Sequence, residues 1–137
     1  MVLPLNRGAR AKDAGFQKLH TRLLGSNCAF YASEVLRGPV EYGGRFLIGP
    51  HHAEWGEAIN VHQRILAMAA RDHGKSHFWS FAYPLWMADR RAPGRIGYVF
   101  SATLRQAEEI LGKIKQEVLG GGEHGGTNPK LQHLLPL

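Results

Sequence analysis

Residues 64–76 read RILAMAARDHGKS, and this stretch decides the predicted fold. Arg64 to Ala69 is a compact apolar run that stops just before a polar turn, as a buried β-strand does. After the turn, a helix is predicted from Gly74 onward, with Pro84 kinking or ending it. One face of that helix carries Phe78, Phe81, Ala82 and Leu85.

A second strand is predicted over Arg95 to Ser101 (RIGYVFS), followed by an amphipathic helix that Thr103 and Gln106 begin as a capping box. Shorter helices are predicted over Asn27 to Leu36 and His51 to Asn60. Parallel strands joined by crossover helices form an α/β fold. The predicted architecture is therefore a P-loop NTPase-type parallel sheet with flanking helices, and the sheet is expected to be incomplete.

The loop between the first strand and its helix has the composition of a phosphate-binding site. Backbone N–H groups from the loop and the first helical turn converge where the helix dipole also favours an anion. Gly74 allows close approach, Lys75 can reach the β- and γ-phosphates, and the Ser76 hydroxyl can ligate Mg²⁺. The predicted nucleotide-binding residues are Ala70, Arg71, Asp72, His73, Gly74, Lys75 and Ser76. The alternative is a solvated helix start with an exposed lysine.

The loop AARDHGKS resembles the A-P-R-G-H-G-K-[ST] form of tailed-phage terminase large subunits, which also lack the first glycine of the usual phosphate loop. The segments Phe30-Tyr31-Ala32 and His51-His52-Ala53-Glu54-Trp55 resemble the elements that precede the loop in that family. Residues 95–107 resemble its second strand and S-x-T-x-x-Q-A segment, and Asn128-Pro129-Lys130-Leu131 resembles the extended piece that follows. Asp72 and Ala70 depart from the pattern, where glycine and proline are common.

The resemblance implies an ATPase that uses ATP and Mg²⁺ to drive double-stranded DNA into a procapsid. It implies a γ-phosphate contact for Arg71 and a catalytic role for Lys75. The implied partners are double-stranded DNA, the terminase small subunit, the portal protein and further copies in a ring. The implied location is the host cytoplasm, at the procapsid portal. Residues 1–26 are predicted to be an amino-terminal extension and residues 27–137 a partial P-loop ATPase domain.

Hydrolysis by such an enzyme requires a pair of acidic residues at the end of a later strand. After Val118 the sequence has one acidic residue, Glu123, in a glycine-rich stretch with no apolar run before it. The chain is therefore expected to end before the catalytic strand and to be inactive alone.

Several side chains near the loop have two interpretations each. Trp55 could stack on adenine or pack in the core, and Gln63 could read the adenine edge. His73 and His77 have the spacing of two metal ligands on a helix, although no third ligand is apparent, and His73 could instead orient the loop. Aromatic residues over 78–86 could stack on bases, but their helical spacing favours the core.

Composition limits the remaining classes of function. Seventeen Lys and Arg against eleven Asp and Glu give a formal charge of +6, which favours polyanionic partners such as DNA or nucleotides. The single Cys28 cannot form an intramolecular disulfide and is predicted to be a small buried group. No apolar run has the length of a membrane span or a secretory signal, so no membrane partner is expected.

Two further functions remain open. Ser101-Ala102-Thr103 is a tripeptide that helicase-like P-loop ATPases also contain, although here no acidic motif precedes it. A domain that binds nucleotide or DNA without turnover is the other alternative.

Overall fold

The computed structural model of the chain describes residues 14–135, which form an assembly of helices. Its elements in chain order are α1 (Ala14–Ser26), α2 (Cys28–Val35), a 3₁₀ turn (Val40–Tyr42), α3 (Pro50–Val61), α4 (75–91), α5 (Leu104–Leu119) and a 3₁₀ helix (Pro129–Leu134).

The predicted helices at 27–36, 51–60 and 104–118 are confirmed, and local caps explain where two of them begin. The Asn27 side chain accepts a hydrogen bond from the Phe30 N–H (2.9 Å) at the start of α2. Thr103 accepts one from the Gln106 N–H (3.3 Å) at the start of α5. The Gln106 side chain does not complete a capping box, because it accepts a hydrogen bond from the Ser101 hydroxyl instead (2.8 Å).

Helix α4 continues through Pro84, so of the two outcomes predicted there, a kink or an end of the helix, the end is wrong. The segment alternates between α-helical and wider π-helical turns, in the order Lys75–His77 (α), Phe78–Ala82 (π), Tyr83–Trp86 (α) and Met87–Arg91 (π). Proline removes one donor and crowds the carbonyl four residues earlier, here that of Ser80. Wider turns on both sides absorb this disruption within a continuous helix.

The core lies between α2 and α4, where the predicted apolar face of α4 is buried. Its fully or nearly fully buried side chains include Cys28, Tyr31, Ala32, Phe78, Ala82, Leu85 and Trp86. The Trp86 indole N–H donates to the Leu24 carbonyl (3.0 Å), which ties α1 to this core. The Tyr31 hydroxyl donates to the Asp89 carboxylate (2.8 Å), one turn after Trp86 in α4. Part of the predicted amino-terminal extension is thus packed into the core, while residues 1–13 lie outside the described residues.

The predicted α/β parallel sheet is wrong for the part of the chain that the structure describes. Residues 14–135 contain no β-strand, and the one β-type pairing is an isolated antiparallel bridge between Arg37 and Arg45. Arg64 to Ala69, predicted as a buried strand, and Arg95 to Ser101, predicted as a second strand, have no strand structure, and Leu66 is 87% exposed. An apolar run favours an extended backbone locally, but a β-strand also needs a neighbouring strand to pair its N–H and C=O groups. Residues 14–135 provide no such strand for either stretch.

The segment from Asn128 to Leu131 also differs from the extended piece that the resemblance implies. Asn128 caps a 3₁₀ helix by accepting from the Lys130 N–H (3.0 Å), and Leu131 is fully buried. The Asn128 amide donates to the Val35 carbonyl (2.8 Å) and to the Glu117 carboxylate (2.6 Å). The end of the described chain is therefore fastened to α2 and α5.

Within residues 14–135, no helix has both the length and the apolar character needed to cross a lipid bilayer.

Candidate phosphate-binding loop

The predicted phosphate loop is an exposed turn that leads directly into α4. Asp72 (φ 65°) and Gly74 (φ 69°) both adopt the left-handed conformation. The first hydrogen bond of the helix runs from the Phe78 N–H to the Gly74 carbonyl (2.9 Å). The N–H groups of residues 75–77 therefore have no helical acceptor, and none donates to another described residue. Three backbone donors are left at the positive end of a helix.

Two histidines of α3, His51 and His52, hold this loop in place. The His51 Nε2 lies 2.9 Å from the His73 carbonyl, and the His73 Nδ1 lies 3.0 Å from the Arg71 carbonyl. Since a carbonyl oxygen can only accept a hydrogen bond, the His51 and His73 rings donate through these nitrogens. His52 Nδ1 accepts from the Gly49 N–H (2.9 Å), so this side chain caps the start of α3. His73 thus has the loop-orienting geometry that the sequence indicated.

Gly74 is required for two independent reasons. Its φ of 69° is unfavourable for residues with a side chain, and an added Cβ would lie 2.9 Å from His52 Nε2. The His52 ring therefore packs directly against the backbone at the start of α4. This contact fixes the distance between α3 and the loop.

The charged side chains of the loop face solvent. Arg71, Asp72, Lys75 and Ser76 are all exposed, and neither Arg71 nor Lys75 forms an ion pair with a described residue. A depression of about 570 Å³ lies at this place, lined by Ala69, Ala70, Arg71, Asp72, Gly74, Lys75, Ser76 and His77. The loop residues predicted from the sequence thus lie together around one depression, His73 taking part through its contacts with Arg71 and His51.

Trp55 and Gln63, the predicted adenine contacts, do not line this depression. The Trp55 ring is half-buried among other rings, with centroids 5.1 Å from His51, 5.5 Å from Phe78 and 5.9 Å from Trp79. Gln63 is exposed just past the end of α3. The described structure therefore favours packing for Trp55, and an adenine contact by either residue stays a prediction.

His73 and His77 do not form a metal pair in the described structure. The His77 ring lies between Phe46 and Phe81, with centroid distances of 4.8 and 5.2 Å. Over residues 14–135, no three His, Cys, Asp or Glu side chains converge as metal ligands do. The aromatic residues of α4 are similarly engaged within the protein, since Phe78, Phe81 and Trp86 are buried.

Burial lowers the pKa of both His52 and His77 below the ordinary histidine value. The electrostatic repulsion that protonation would create acts in the same direction, between His52 and its neighbours His51 and His77 and between His77 and Lys113. Both imidazoles are therefore neutral in the folded protein at neutral pH. In addition, His77 Nε2 is buried without a hydrogen-bond partner.

Because the pKa values of His52 and His77 are lowered in the folded protein, we expect its stability to fall on acidification. Above pH ~6.5, the pKa of histidine in the unfolded chain, both rings are neutral in both states and their contribution to the free energy of unfolding is fully present. As the pH falls through that value toward the lower pKa of the folded state, the unfolded chain takes up protons first, and this contribution is lost. Urea unfolding followed between pH 7 and 5 should show a declining free energy of unfolding.

His77→Phe keeps the ring stack with Phe46 and Phe81 but cannot titrate, so this variant should show a shallower decline. His62→Gln, at an exposed position, is the matched control and should retain the full pH dependence. Identical pH profiles for the parent protein and His77→Phe would show that His77 does not contribute.

No protein-family model matches this chain, and no curated protein or solved structure is significantly similar to it.

Proposed function

We propose that the loop over residues 69–77 binds the triphosphate of ATP with Mg²⁺, as part of a phage terminase large subunit that powers packaging of double-stranded DNA. The observation that carries this proposal is the depression of about 570 Å³, which gathers the loop and the start of α4. The resemblance of the loop to the terminase form supplies the particular function. The proposal rests on the loop and not on a sheet.

The charge and hydrogen-bonding capacity of the loop suit a polyphosphate. The three unpaired N–H groups of residues 75–77 lie at the positive end of α4. Free N–H groups at the start of a helix favour the binding of a phosphate. Lys75 adds a mobile point charge, and Arg71 adds a planar guanidinium that can bind a phosphate through two parallel hydrogen bonds. The resemblance assigns Arg71 to the γ-phosphate.

Ser76 fits the role of a magnesium ligand. Its hydroxyl is exposed at the depression, one residue after Lys75. Magnesium in nucleotide sites is commonly held by one or two protein oxygens together with phosphate oxygens and water, so a single hydroxyl is a sufficient protein contribution. The ion would neutralise charge between the β- and γ-phosphates.

We further propose that the chain by itself binds ATP with little turnover. Asp72 is the one carboxylate that lines the depression in the described structure, and it occupies a turn before the helix. Hydrolysis needs a carboxylate placed to orient water. DNA, the small subunit, the portal and a ring of copies at the procapsid in the host cytoplasm are the partners and location that the resemblance implies.

The helicase-like alternative receives no added support from its tripeptide. The Ser101 hydroxyl donates to Gln106 and Thr103 caps α5, so both hydroxyls have local structural roles. Binding of nucleotide without any motor function is the remaining alternative.

Calorimetric titration with ATP in the presence of Mg²⁺ tests the proposal directly. We expect one saturable site that ADP competes for, and phosphate release far below ~1 s⁻¹, the lower end of ordinary enzyme rates. Absence of binding at millimolar ATP would reject the loop as a nucleotide site. Rapid turnover that depends on Lys75 would reject the claim of binding without catalysis.

Asp72→Gly is expected to tighten ATP binding about five-fold. The Asp72 carboxylate lines the depression in which the phosphates would bind. At ~7 Å and an effective dielectric of ~20, repulsion between this carboxylate and one phosphate charge costs about 2 kcal/mol. Solvent and salt reduce this cost to roughly 1 kcal/mol, which is about a five-fold change in affinity. Glycine also removes the left-handed strain at φ 65°. Titrations of both proteins with ATP, with and without Mg²⁺, measure the change.

Asp72→Asn is the matched control, because asparagine tolerates the left-handed conformation and removes only the charge. If repulsion is the cause, both variants bind more tightly and their affinity depends less on salt. If Asp72 instead holds Mg²⁺ through water, both variants bind more weakly when the metal is present. Unchanged affinity in every condition would show that this carboxylate has no influence on the nucleotide.

A further inference from the structure

The stretch 95–101 has no regular secondary structure, and beyond Arg95 it has no backbone partner in the described structure. Residues 96–102 neither donate nor accept a backbone hydrogen bond there. The stretch contains no proline, and Arg95 at its first position is its one charged residue. A segment such as 96–101, with no charge and with free N–H and C=O groups, is a template for pairing with another chain in an extended conformation.

Alternate side chains of this stretch form an apolar patch. Ile96, Tyr98 and Phe100 are 81, 77 and 90% exposed, and the rings of Tyr98 and Phe100 are 6.3 Å apart. The intervening Val99 is half-buried beside a shallow apolar cavity of about 540 Å³. Ile96, Tyr98 and Phe100 also line this cavity, together with Leu111 and Ile114 of α5, and still remain largely exposed. Period-two spacing places the three exposed side chains on the same face of an extended chain.

The patch has the size of an interaction surface. Three side chains of this kind, at ~150–250 Å² each and about four-fifths exposed, present roughly 450 Å² of apolar surface. Patches of that size on a single chain often have a function, and pairing of the backbone adds further buried area. The total lies at the low end of specific protein interfaces, so association should be weak and dependent on concentration.

We propose that a second copy of this chain covers the patch, by antiparallel pairing of the two 95–101 stretches about a two-fold axis at Tyr98. In this register Tyr98 lies opposite its own copy, Ile96 lies opposite Phe100, and Arg95 lies opposite Ser101. The pairing is self-complementary, as a two-fold interface must be, and it brings no like charges together. It forms separately from the nucleotide loop and does not depend on ATP.

Cysteine cross-linking tests both the contact and the register. Cβ atoms directly opposite each other in an antiparallel pair are about 4.5–5.5 Å apart, close to disulfide geometry. Under mild oxidation Tyr98→Cys should give a covalent dimer, and a mixture of Ile96→Cys with Phe100→Cys should give mostly the mixed species. Val61→Cys, equally exposed on α3, is the control and should stay monomeric. The native Cys28 is fully buried and does not compete.

Sedimentation velocity of the full chain provides the independent measurement. The dimer fraction should rise with concentration up to roughly 500 µM, where even a ~100 µM dissociation constant gives mostly dimer. Tyr98→Lys should remain monomeric there, while Tyr98→Phe and Val61→Lys should associate like the parent. A parent chain that is monomeric at this concentration, or a dimer that persists in Tyr98→Lys, would overturn the proposal.

Discussion

Replacing Lys75 by alanine is expected to reduce the affinity for ATP and Mg²⁺ roughly 10- to 150-fold. A hydrogen bond to a charged group contributes about 1.5–3 kcal/mol, and that range corresponds to this loss. Lys75 is exposed at the depression and has no ion pair with a described residue, so its removal should leave the fold intact. Calorimetry on both proteins, with unfolding curves to verify equal stability, measures the effect.

Lys115→Ala is the control for a simple change in net charge. Lys115 is exposed on α5 and does not line the depression at the loop. Its removal lowers the formal charge by the same amount but should alter ATP affinity very little, because it is not among the loop residues. Equal losses in the two variants would mean that ATP is attracted by overall charge alone, and the loop would lose its assignment.

Glu117→Ala is expected to destabilise the fold by about 3 kcal/mol. The Glu117 side chain is 4% exposed and accepts from the Arg37 backbone N–H (3.0 Å), the Arg37 guanidinium (3.2 Å) and the Asn128 amide (2.6 Å). Removing it leaves the Arg37 backbone N–H and one N–H of the Asn128 amide unsatisfied, and it deprives the Arg37 guanidinium of its carboxylate partner. Because these groups join α2, α5 and the 3₁₀ helix, urea unfolding should show a lower midpoint.

Glu108→Ala, an exposed position on the same helix, is the matched control and should change stability by less than ~0.5 kcal/mol. Glu117→Gln keeps an acceptor for the two neutral donors but loses the charge, so its stability should lie between those of the parent and Glu117→Ala. If Glu117→Ala unfolds at the same urea concentration as the parent, the network is not an important source of stability.

The features that the sequence predicted correctly are those that depend on neighbours along the chain. Asn27 and Thr103 cap their helices through hydrogen bonds that span three residues, and such signals are visible locally. The loop from Ala69 to Ser76 is equally local, because glycine, lysine and serine lie next to one another ahead of a helix. These elements could therefore be placed without knowledge of the rest of the fold.

The features that were predicted wrongly depend on partners far away in the chain. Arg64 to Ala69 and Arg95 to Ser101 have the composition of strands, but composition cannot tell whether another segment pairs with them. The anchoring of α5 by Arg37 joins residues 80 positions apart, and the hydrogen bond from Asn128 to the Val35 carbonyl joins residues 93 positions apart, which no local pattern reveals. The contact between His51 and the His73 carbonyl spans 22 positions and was likewise not specified by the sequence.

The placement of the three tryptophans gives this protein an intrinsic optical reporter. Trp86 is fully buried and Trp79 is half-buried, so their fluorescence should shift to longer wavelength when unfolding exposes the indoles to water. Trp55 differs, because its ring lies 5.1 Å from His51 and 5.2 Å from His52, the residues that contact the loop. A protonated imidazole quenches indole emission on contact. The fluorescence intensity of Trp55 should therefore change when the histidines beside the loop move or change their charge.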